Sequence, residues 1–366
     1  MALPLLYKFG YRGVVWTTRA TAEQLTAYFD SWKKYVRGQS AELPYDEEHI
    51  QAIRFAFLEE AGGPGKWIEA APSVKVCWGR SGHLVGSVWL LLELAGKRVF
   101  FSGDYSSESV LLASDGVERL PCEPVRREID LSIVDAAYGM DAEGQTAKLA
   151  QLADRVGQVL SLGGSALFPV PAFGRGQDML VWARERFPAV PLVVERDLLQ
   201  GFEQMLRQPE WLRAEAAERI RRCLDDPRLI VVEGDDQREL AFAAGRGGLY
   251  FTGDGMMQSD RAQWYYRKLA AQGGGCVILT GHLAEGSFGQ RLLAAGPAER
   301  DCAVLACRYK VHQGIADVRR MLEAFGGRLA VPVHASREAT DDLCAALTAE
   351  GFTGLHPLGP GGTVRF

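Results

Sequence analysis

The sequence has no apolar run long enough to cross a membrane. Its most apolar stretch, Val88 to Leu92, leads into Glu93, Lys97 and Arg98, well before the roughly 20 apolar residues that a spanning helix needs. The N-terminus has apolar residues after Met1 but neither a basic segment nor a small-residue cleavage site. We interpret it as mature protein and not as a signal peptide, and we expect no membrane partner.

Paired cysteines are also missing. The seven cysteines are an odd number, and no two of them form a C-x-x-C motif. This pattern argues against a disulfide framework and against a zinc ribbon. We therefore expect reduced, mostly buried thiols and a cytoplasmic protein.

The chain has no excess of positive charge, and we find no internal repeat or low-complexity linker. Its 41 Lys and Arg residues are outnumbered by 46 Asp and Glu residues, which gives a net charge of -5. Binding to nucleic acid would therefore depend on a local basic groove. Apolar residues make up 47% of the 366 residues, enough for sizeable cores. The length favours two domains, or one domain with a large insertion.

Strands and helices alternate along most of the chain. Thr21 and Gln24 have the spacing of a capping box, and apolar residues at helical spacing follow as far as Val36. Ala95 and Gly96 predict a tight hairpin between two β-type runs. From about residue 141 onward the alternation becomes regular, which predicts parallel βαβ units.

Several residues of the metal-ligand type occupy similar places, most of them at the carboxyl end of a predicted strand. They are His83, Asp104, Asp135, His312 and His334. Sheets of this kind bind ligands at that edge, so we expect these side chains to share one site. Imidazole and carboxylate groups suit zinc, or manganese where carboxylates predominate. Taken singly, each residue also has an ordinary interpretation, as a turn, a helix cap or a hydrogen-bonded histidine.

Longer segments form an ordered series of motifs. Residues 81–109 read SGHLVGSVWLLLELAGKRVFFSGDYSSES, and IVDAAYG, VHQGIAD and VPVHASRE follow further along the chain. Between IVDAAYG and VHQGIAD lie three more stretches: GGSALFPVPAFGRGQDML, FTGDGMMQSDRAQWYYRKL and CVILTGHLAEGSFGQRLL. Over nearly the whole chain, this series resembles the β-CASP nucleases of the metallo-β-lactamase superfamily. That branch includes ribonuclease J and the cleavage-and-polyadenylation endonuclease.

The resemblance implies an α/β fold: a metallo-β-lactamase-like αββα sandwich, N-terminally incomplete, with an inserted β-CASP α/β domain. Residues 1–140 and 310–366 would form the first domain, and residues 141–309 the insertion. The implied activity is metal-dependent hydrolysis of RNA phosphodiester bonds, either endonucleolytic or from the 5′ end. Single-stranded RNA would lie in the cleft between the two domains.

The resemblance also implies roles for single residues. His83 matches the histidine of the first zinc, Asp104 the carboxylate that bridges both metals, and His334 the histidine of the second metal. Asp135 and His312 match a catalytic acid–imidazole pair near the leaving group. A histidine in the position of His334 is typical of the RNA-directed branches of the family.

Contacts to the substrate are predicted at Gly174, Arg175, Ser287 and Ser336. The FGRGQ turn around the first two offers backbone N–H groups at a helix start, which is a favourable place for a phosphate. The alternative is a turn that needs glycines for close packing, with Arg175 paired to an acid. The GSFG segment around Ser287 has the same two interpretations.

One motif of the family is absent. The chain has no H-x-H-x-D-H, which in relatives directly precedes the segment matching Ala2 to Leu6. Four ligands are therefore missing, and two ligands per metal, one of them shared, would bind zinc weakly. Gly314 also stands where many relatives have aspartate, and Asp317 is a candidate substitute.

Three explanations for the missing motif remain open. The chain is truncated, it is a natural non-catalytic binding or partner subunit, or another chain completes the site. We prefer truncation, because every later motif is intact. Relatives often pair, so a homodimer or a complex with a partner nuclease subunit is also expected.

Overall fold

The computed structural model describes residues 2–38, 40–116, 129–244, 247–296, 302–325 and 328–366. The strands are β1 (Val15–Thr17), β2 (Phe55–Phe57), β3 (Ile68–Ala71), β4 (Val74–Arg80), β5 (Val88–Leu94), β6 (Lys97–Phe101), β7 (Leu131–Asp135), β8 (Ala166–Pro169), β9 (Leu192–Glu195), β10 (Leu229–Val232), β11 (Leu249–Thr252), β12 (Cys276–Leu279), β13 (Ala303–Ala306) and β14 (Leu329–Val333). The helices are α1 (Leu3–Lys8), α2 (Arg19–Gly38), α3 (Glu47–Gln51), α4 (Leu58–Ala61), α5 (Gln145–Ser161), α6 (Arg175–Arg186), α7 (Leu199–Arg207), α8 (Ala216–Leu224), α9 (Asp235–Ala243), α10 (Asp260–Gln272), α11 (Phe288–Ala294), α12 (Ile315–Phe325) and α13 (Arg337–Ala349). The predicted α/β class is confirmed. In the part of the chain that is described, no helix is both long and apolar enough to span a bilayer.

One large sheet has mixed strand directions and the order β14-β7-β6-β5-β4-β3. Strands β14, β7 and β6 are parallel, whereas β6, β5, β4 and β3 are joined antiparallel. The predicted hairpin between β5 and β6 is confirmed, since Ala95 and Gly96 have the positive φ angles, 49° and 74°, of a two-residue turn. Because β6, β7 and β14 are parallel neighbours, their carboxyl ends lie together at one edge of the sheet.

Side chains on one face of the mixed sheet pack in a hydrophobic core. Trp89, Leu91 and Phe100 are buried in the same cluster as Val318 of α12 and Leu343 of α13. Side chains of a strand alternate between the two faces of a sheet, so this face of the mixed sheet is covered by the two helices. The packing fixes the strands whose ends carry the predicted metal ligands.

The other large sheet is parallel throughout and has the order β10-β9-β11-β8-β12-β13. Its central strands are buried on both faces, as the consecutive residues Leu167 and Phe168 of β8 show. Such a sheet needs a crossover between its strands, which agrees with the alternation predicted from about residue 141. In the chain, this sheet lies between β7 and β14 of the mixed sheet. The domain boundaries near residues 140 and 310 stay a prediction.

The N-terminal cap of the first long helix differs from the predicted one. Helix α2 starts at Arg19, and the Oγ1 of Thr18 accepts the Thr21 N–H at 3.2 Å. The predicted capping box of Thr21 and Gln24 is therefore wrong. Gln24 donates instead to the Val85 carbonyl oxygen at 3.0 Å, because the loop between β4 and β5 packs against this part of the helix.

Candidate metal centre

Three of the predicted site residues lie at the carboxyl ends of parallel strands in the mixed sheet. Asp135 is the last residue of β7, His334 directly follows β14, and Asp104 comes three residues after β6. His334 Nδ1 is 3.5 Å from Asp135 Oδ1 and 3.4 Å from Asp104 Oδ1. His334 has a φ of 76°, a left-handed conformation that costs about 1–3 kcal/mol outside glycine. Strain of this kind is typical of functional sites.

The other two predicted residues, His83 and His312, come from loops. His83 lies between β4 and β5, and its Nδ1 is 3.0 Å from the carbonyl oxygen of Val311. His312 is the next residue after Val311, in the connection between β13 and α12. The ring centroids of His83 and His312 are 4.7 Å apart, and so are those of His312 and His334. His312 is therefore adjacent to both other imidazoles, and all five predicted residues meet at one edge of the sheet.

The carboxylate of Asp104 lies between two imidazoles. Its Oδ2 is 3.7 Å from His83 Nε2, and its Oδ1 is the oxygen near His334 Nδ1. Two groups of three residues each offer one ligand atom per residue, and within a group these atoms lie within 4.8 Å of one another: His83, Asp104 and His312, and Asp135, His312 and His334. Imidazole nitrogens and carboxylate oxygens are ligands that zinc accepts, so the donor set fits a metal ion.

Asp135 is held by several hydrogen bonds and is only 1% exposed. Its Oδ2 accepts the Tyr105 N–H at 3.1 Å and lies 3.0 Å from His312 Nδ1, while Oδ1 accepts the Ala137 N–H at 3.1 Å. Burial alone would raise the pKa of Asp135, but the bond from His312 and the backbone donors hold this pKa below its usual value. The charged carboxylate binds the Nδ1–H of His312, which leaves Nε2 as the basic nitrogen of the ring.

His83 is in the protonation state that suits a metal ligand. Burial lowers the pKa of His83, and the neighbouring His312 lowers it further. Because its Nδ1 donates to the Val311 carbonyl oxygen, the neutral ring presents Nε2 to Asp104. A metal ion therefore has no proton to displace from this ring at neutral pH.

Gly174 and Arg175 begin helix α6 and have different surroundings. Gly174 has a φ of 81°, and a Cβ atom there would lie 2.5 Å from Leu84 Cδ2. Close packing of α6 on the loop that carries His83 therefore accounts for this glycine, in line with the alternative interpretation of the turn. The alternative interpretation of Arg175, pairing with an acid, is not found among the described residues.

Ser287 and Ser336 have the same place in two different helices. Ser287 Oγ accepts the Gln290 N–H at the start of α11, and Ser336 Oγ accepts the Ala339 N–H at the start of α13. Helix capping accounts for both hydroxyl groups. Their contact with substrate stays a prediction.

Tyr138 belongs to the site although the sequence analysis did not select it. Its ring centroid is 5.5 Å from that of His312, and its Oη accepts the Val311 N–H at 3.3 Å. The tyrosine therefore helps to fix the backbone from which His312 projects. The available signal was its position in the IVDAAYG motif, three residues after Asp135.

The position of Gly314 has a steric explanation. A Cβ atom at this residue would lie 1.9 Å from the carbonyl oxygen of Asp141, so aspartate cannot occupy the position without a backbone shift. Asp317, the candidate substitute, accepts the Gly314 N–H at 3.1 Å and lies 2.7 Å from Lys310 Nζ. Asp135, not Asp317, is the carboxylate bonded to His312.

A third group of possible ligands lies elsewhere, at helix α3, and consists of Asp46, Glu48 and His49. A reciprocal capping box forms there, in which the Asp46 N–H donates to His49 Nδ1 at 3.1 Å. Helix capping accounts for this group without a metal ion. It is therefore a useful comparison for the candidate metal centre.

Several known proteins have similar sequences. Transcription termination factor FttA of Methanothermobacter thermautotrophicus is 22% identical over 305 residues, which are 79% of this chain and 46% of FttA. An RNase J-like protein of Methanocaldococcus jannaschii is 25% identical over 306 residues, 80% of this chain and 66% of that protein. Probable RNase MJ4 of the same organism is 19% identical over 367 residues, 97% of this chain and 83% of the relative. The chain is a homologue of these proteins.

This homology confirms the resemblance to the β-CASP branch of the metallo-β-lactamase superfamily that the motifs predicted. No protein-family model matches the chain. The chain spans about half the length of the FttA proteins that it matches. The finer fold description, with an incomplete sandwich and an insertion, stays a prediction.

Proposed function

We propose that the chain carries a metal-dependent site for the hydrolysis of phosphodiester bonds in single-stranded RNA. The observation that carries the proposal is the convergence of three imidazoles and two carboxylates, from distant parts of the sequence, at one edge of the mixed sheet. The names of two homologues, an RNase J-like protein and a probable RNase, support RNA as the substrate.

The donor set favours zinc, with manganese as the alternative. His83 would hold one ion and His334 the other, with Asp104 shared between them. When bound, the metal pair would lower the pKa of a water molecule and offset the negative charge that develops on the phosphate.

We assign proton transfer to His312. Asp135 fixes the Nδ1–H of this ring, so Nε2 would accept the proton that the attacking water loses and pass it to the oxygen that departs from phosphorus. The charged carboxylate also holds the ring in one orientation. Asp135 therefore contributes to catalysis through His312.

The same geometry predicts weak metal binding. His312 belongs to both three-residue groups, so this set cannot give two ions three separate ligands each. The shortage also favours the alternative function, a non-catalytic β-CASP binding protein or partner subunit. If another chain completes the site instead, a second copy of the chain or a partner nuclease subunit would supply the further ligands. Such an assembly and a cytoplasmic location both stay predictions.

Zinc binding should depend on His83 and not on His49. We expect His83→Ala to weaken zinc binding roughly 100-fold or more, because an aligned imidazole nitrogen is lost from the ligand set. The matched control is His49→Ala, which removes a histidine from a three-residue group that helix capping explains. Isothermal titration with zinc, followed by elemental analysis after dialysis, measures both variants against the parent chain.

Equal zinc affinity in the two variants would contradict the assignment of the metal centre. Cleavage of an end-labelled single-stranded RNA, with zinc or manganese added, then tests the activity itself. A chain that binds zinc through His83 and binds RNA, but does not cleave it, favours the alternative function.

A further inference from the structure

Lys310 is a buried lysine to which the proposed reaction gives no part. Only 4% of the residue is exposed, and it lies two positions before His312 in the connection between β13 and α12. Its Nζ is 2.7 Å from Asp317 Oδ2 and also pairs with Glu108. A buried charge is costly unless opposite charges compensate it, and the two carboxylates provide that compensation. The three charges therefore form one largely buried unit.

One oxygen of Asp317 ties both ends of the loop that carries His312. Asp317 Oδ2 accepts the N–H of Gly314 at 3.1 Å, and the same oxygen pairs with Lys310. Lys310 lies two residues before His312, and Gly314 lies two residues after it. Both ends of this short loop are therefore held by a single atom of helix α12.

A ring of hydrogen bonds joins the same lysine to the segment that follows Asp104. The Lys310 N–H donates to Gln145 Oε1 at 2.7 Å, and the Gln145 N–H donates to Glu108 Oε1 at 3.0 Å. Glu108 Oε2 accepts from Lys310 Nζ, which closes the ring. Glu108 comes four residues after Asp104, and Gln145 begins helix α5. We call the contacts of Lys310 with Glu108, Gln145 and Asp317 the lysine clamp.

The ammonium group of Lys310 is charged in this environment. Burial alone would lower the pKa of Lys310, but the hydrogen bonds to Asp317 and Glu108 raise this pKa above its usual value. Hydrogen bonds between ionised groups are stronger than those between neutral ones. The His312 loop is therefore fixed by strong contacts on the side of the lysine.

The same loop decides how His312 meets its neighbours in the site. His312 Nδ1 is 3.0 Å from Asp135 Oδ2, and the centroid of its ring is 4.7 Å from that of His83. These contacts require the backbone on either side of His312 to stay in one place. A displacement of about 1 Å at a reacting group can lower a rate about a hundredfold. A lysine that does not touch the reacting atoms can therefore control proton transfer by this ring.

We propose that Lys310 is a positioning residue, which holds the His312 loop in the geometry that proton transfer requires. The role of His312 in that transfer rests on the proposed function. The lysine clamp itself rests on the distances and the burial of its four residues. The competing interpretation is an ion pair that stabilises the fold and has no influence on His312.

Lys310→Met tests the clamp, because it keeps an unbranched side chain of similar length and removes the charge. With zinc added, we expect kcat for cleavage of an end-labelled single-stranded RNA to fall roughly 10- to 100-fold. The KM for RNA should stay within about twofold of the parent chain, because a buried lysine is not a contact for the substrate.

Lys148→Met is the matched control. Lys148 is 8% exposed, and its Nζ is 2.7 Å from Asp141 and 3.3 Å from Glu143, so it has similar burial and the same number of acidic partners. It belongs to α5 and lies outside the His312 loop. Both variants should lower the midpoint of urea unfolding, but Lys148→Met should keep kcat within about threefold of the parent chain. A fall in kcat of less than about fivefold in Lys310→Met, or an equal fall in both variants, overturns the proposal.

Asp317→Asn decides the question if Lys310→Met does not fold. Asparagine keeps an acceptor oxygen for the Gly314 N–H and removes the charge that faces Lys310. We expect kcat to fall at least about fivefold, with the KM for RNA unchanged. A smaller fall overturns the proposal.

Nuclear magnetic resonance of the metal-free chain tests the clamp without any activity. The chain has six histidines, and His312→Gln identifies the ¹⁵N-imidazole signal of His312. The Nδ1–H that is bonded to Asp135 should be protected from exchange with water in the parent chain and in Lys148→Met, but not in Lys310→Met.

A parent chain that does not cleave RNA would contradict the proposed function, and this spectrum then decides on the clamp. The same His312 signal in all three proteins overturns the clamp as well. The two failures are therefore distinguishable.

Discussion

Replacing Asp104 with alanine is expected to reduce RNA cleavage roughly a thousandfold while leaving the fold intact. The carboxylate is the group that lies between His83 Nε2 and His334 Nδ1, at 3.7 and 3.4 Å, so its loss separates the two halves of the candidate metal centre. The side chain is 49% exposed, which limits the structural cost to about 0.5 kcal/mol.

The measurement is single-turnover cleavage of an end-labelled single-stranded RNA, with urea unfolding of the same preparations. Asp154→Ala, which removes an exposed carboxylate from α5, is the control for the loss of one negative charge. Asp104→Asn keeps the shape of the side chain and should be as inactive as Asp104→Ala, because the amide is a poor metal ligand. Full activity of Asp104→Ala would remove the candidate centre.

The meeting of three site residues could be predicted from the direction of their strands. Asp104, Asp135 and His334 each follow a run of β-type residues, and the ends of parallel neighbouring strands lie together. The two loop histidines are a different case. Strand direction does not fix where their loops lie, so the prediction that His83 and His312 share the site rested on their residue type and on the resemblance to a family.

Contacts between distant segments account for what the sequence did not predict. Gln24 has the spacing of a capping residue, but its amide binds Val85, a partner 61 residues away. Ser336 was predicted to contact substrate, and the structure shows that its hydroxyl caps α13. The lack of an acidic partner for Arg175 could not be predicted from the sequence, because any acidic residue of the chain could have reached it after folding.

The largest expected effect on stability belongs to Asp178, which is 2% exposed on α6. Its carboxylate accepts the hydroxyls of Ser109 and Tyr309, both at 2.6 Å, and the N–H groups of Val110 and Leu111, both at 3.1 Å. Alanine would leave these donors without an acceptor in a space that water does not reach. We expect Asp178→Ala to lower the free energy of unfolding by about 3–5 kcal/mol.

The hydrogen bonds of Asp178 also join α6 to two other segments. One of them follows Asp104, and the other precedes His312. Asp178→Ala should therefore weaken zinc binding as well as stability, because both segments lose a common anchor. Asp178→Asn keeps one acceptor oxygen but turns an NH₂ group toward the donors, so a smaller loss of about 1–3 kcal/mol is expected. Urea unfolding followed by circular dichroism measures the series, with Asp154→Ala as the exposed control within about 0.5 kcal/mol of the parent. If Asp178→Ala were as stable as that control, the hydrogen bonds from Ser109 and Tyr309 could not be what holds α6 against the metal centre.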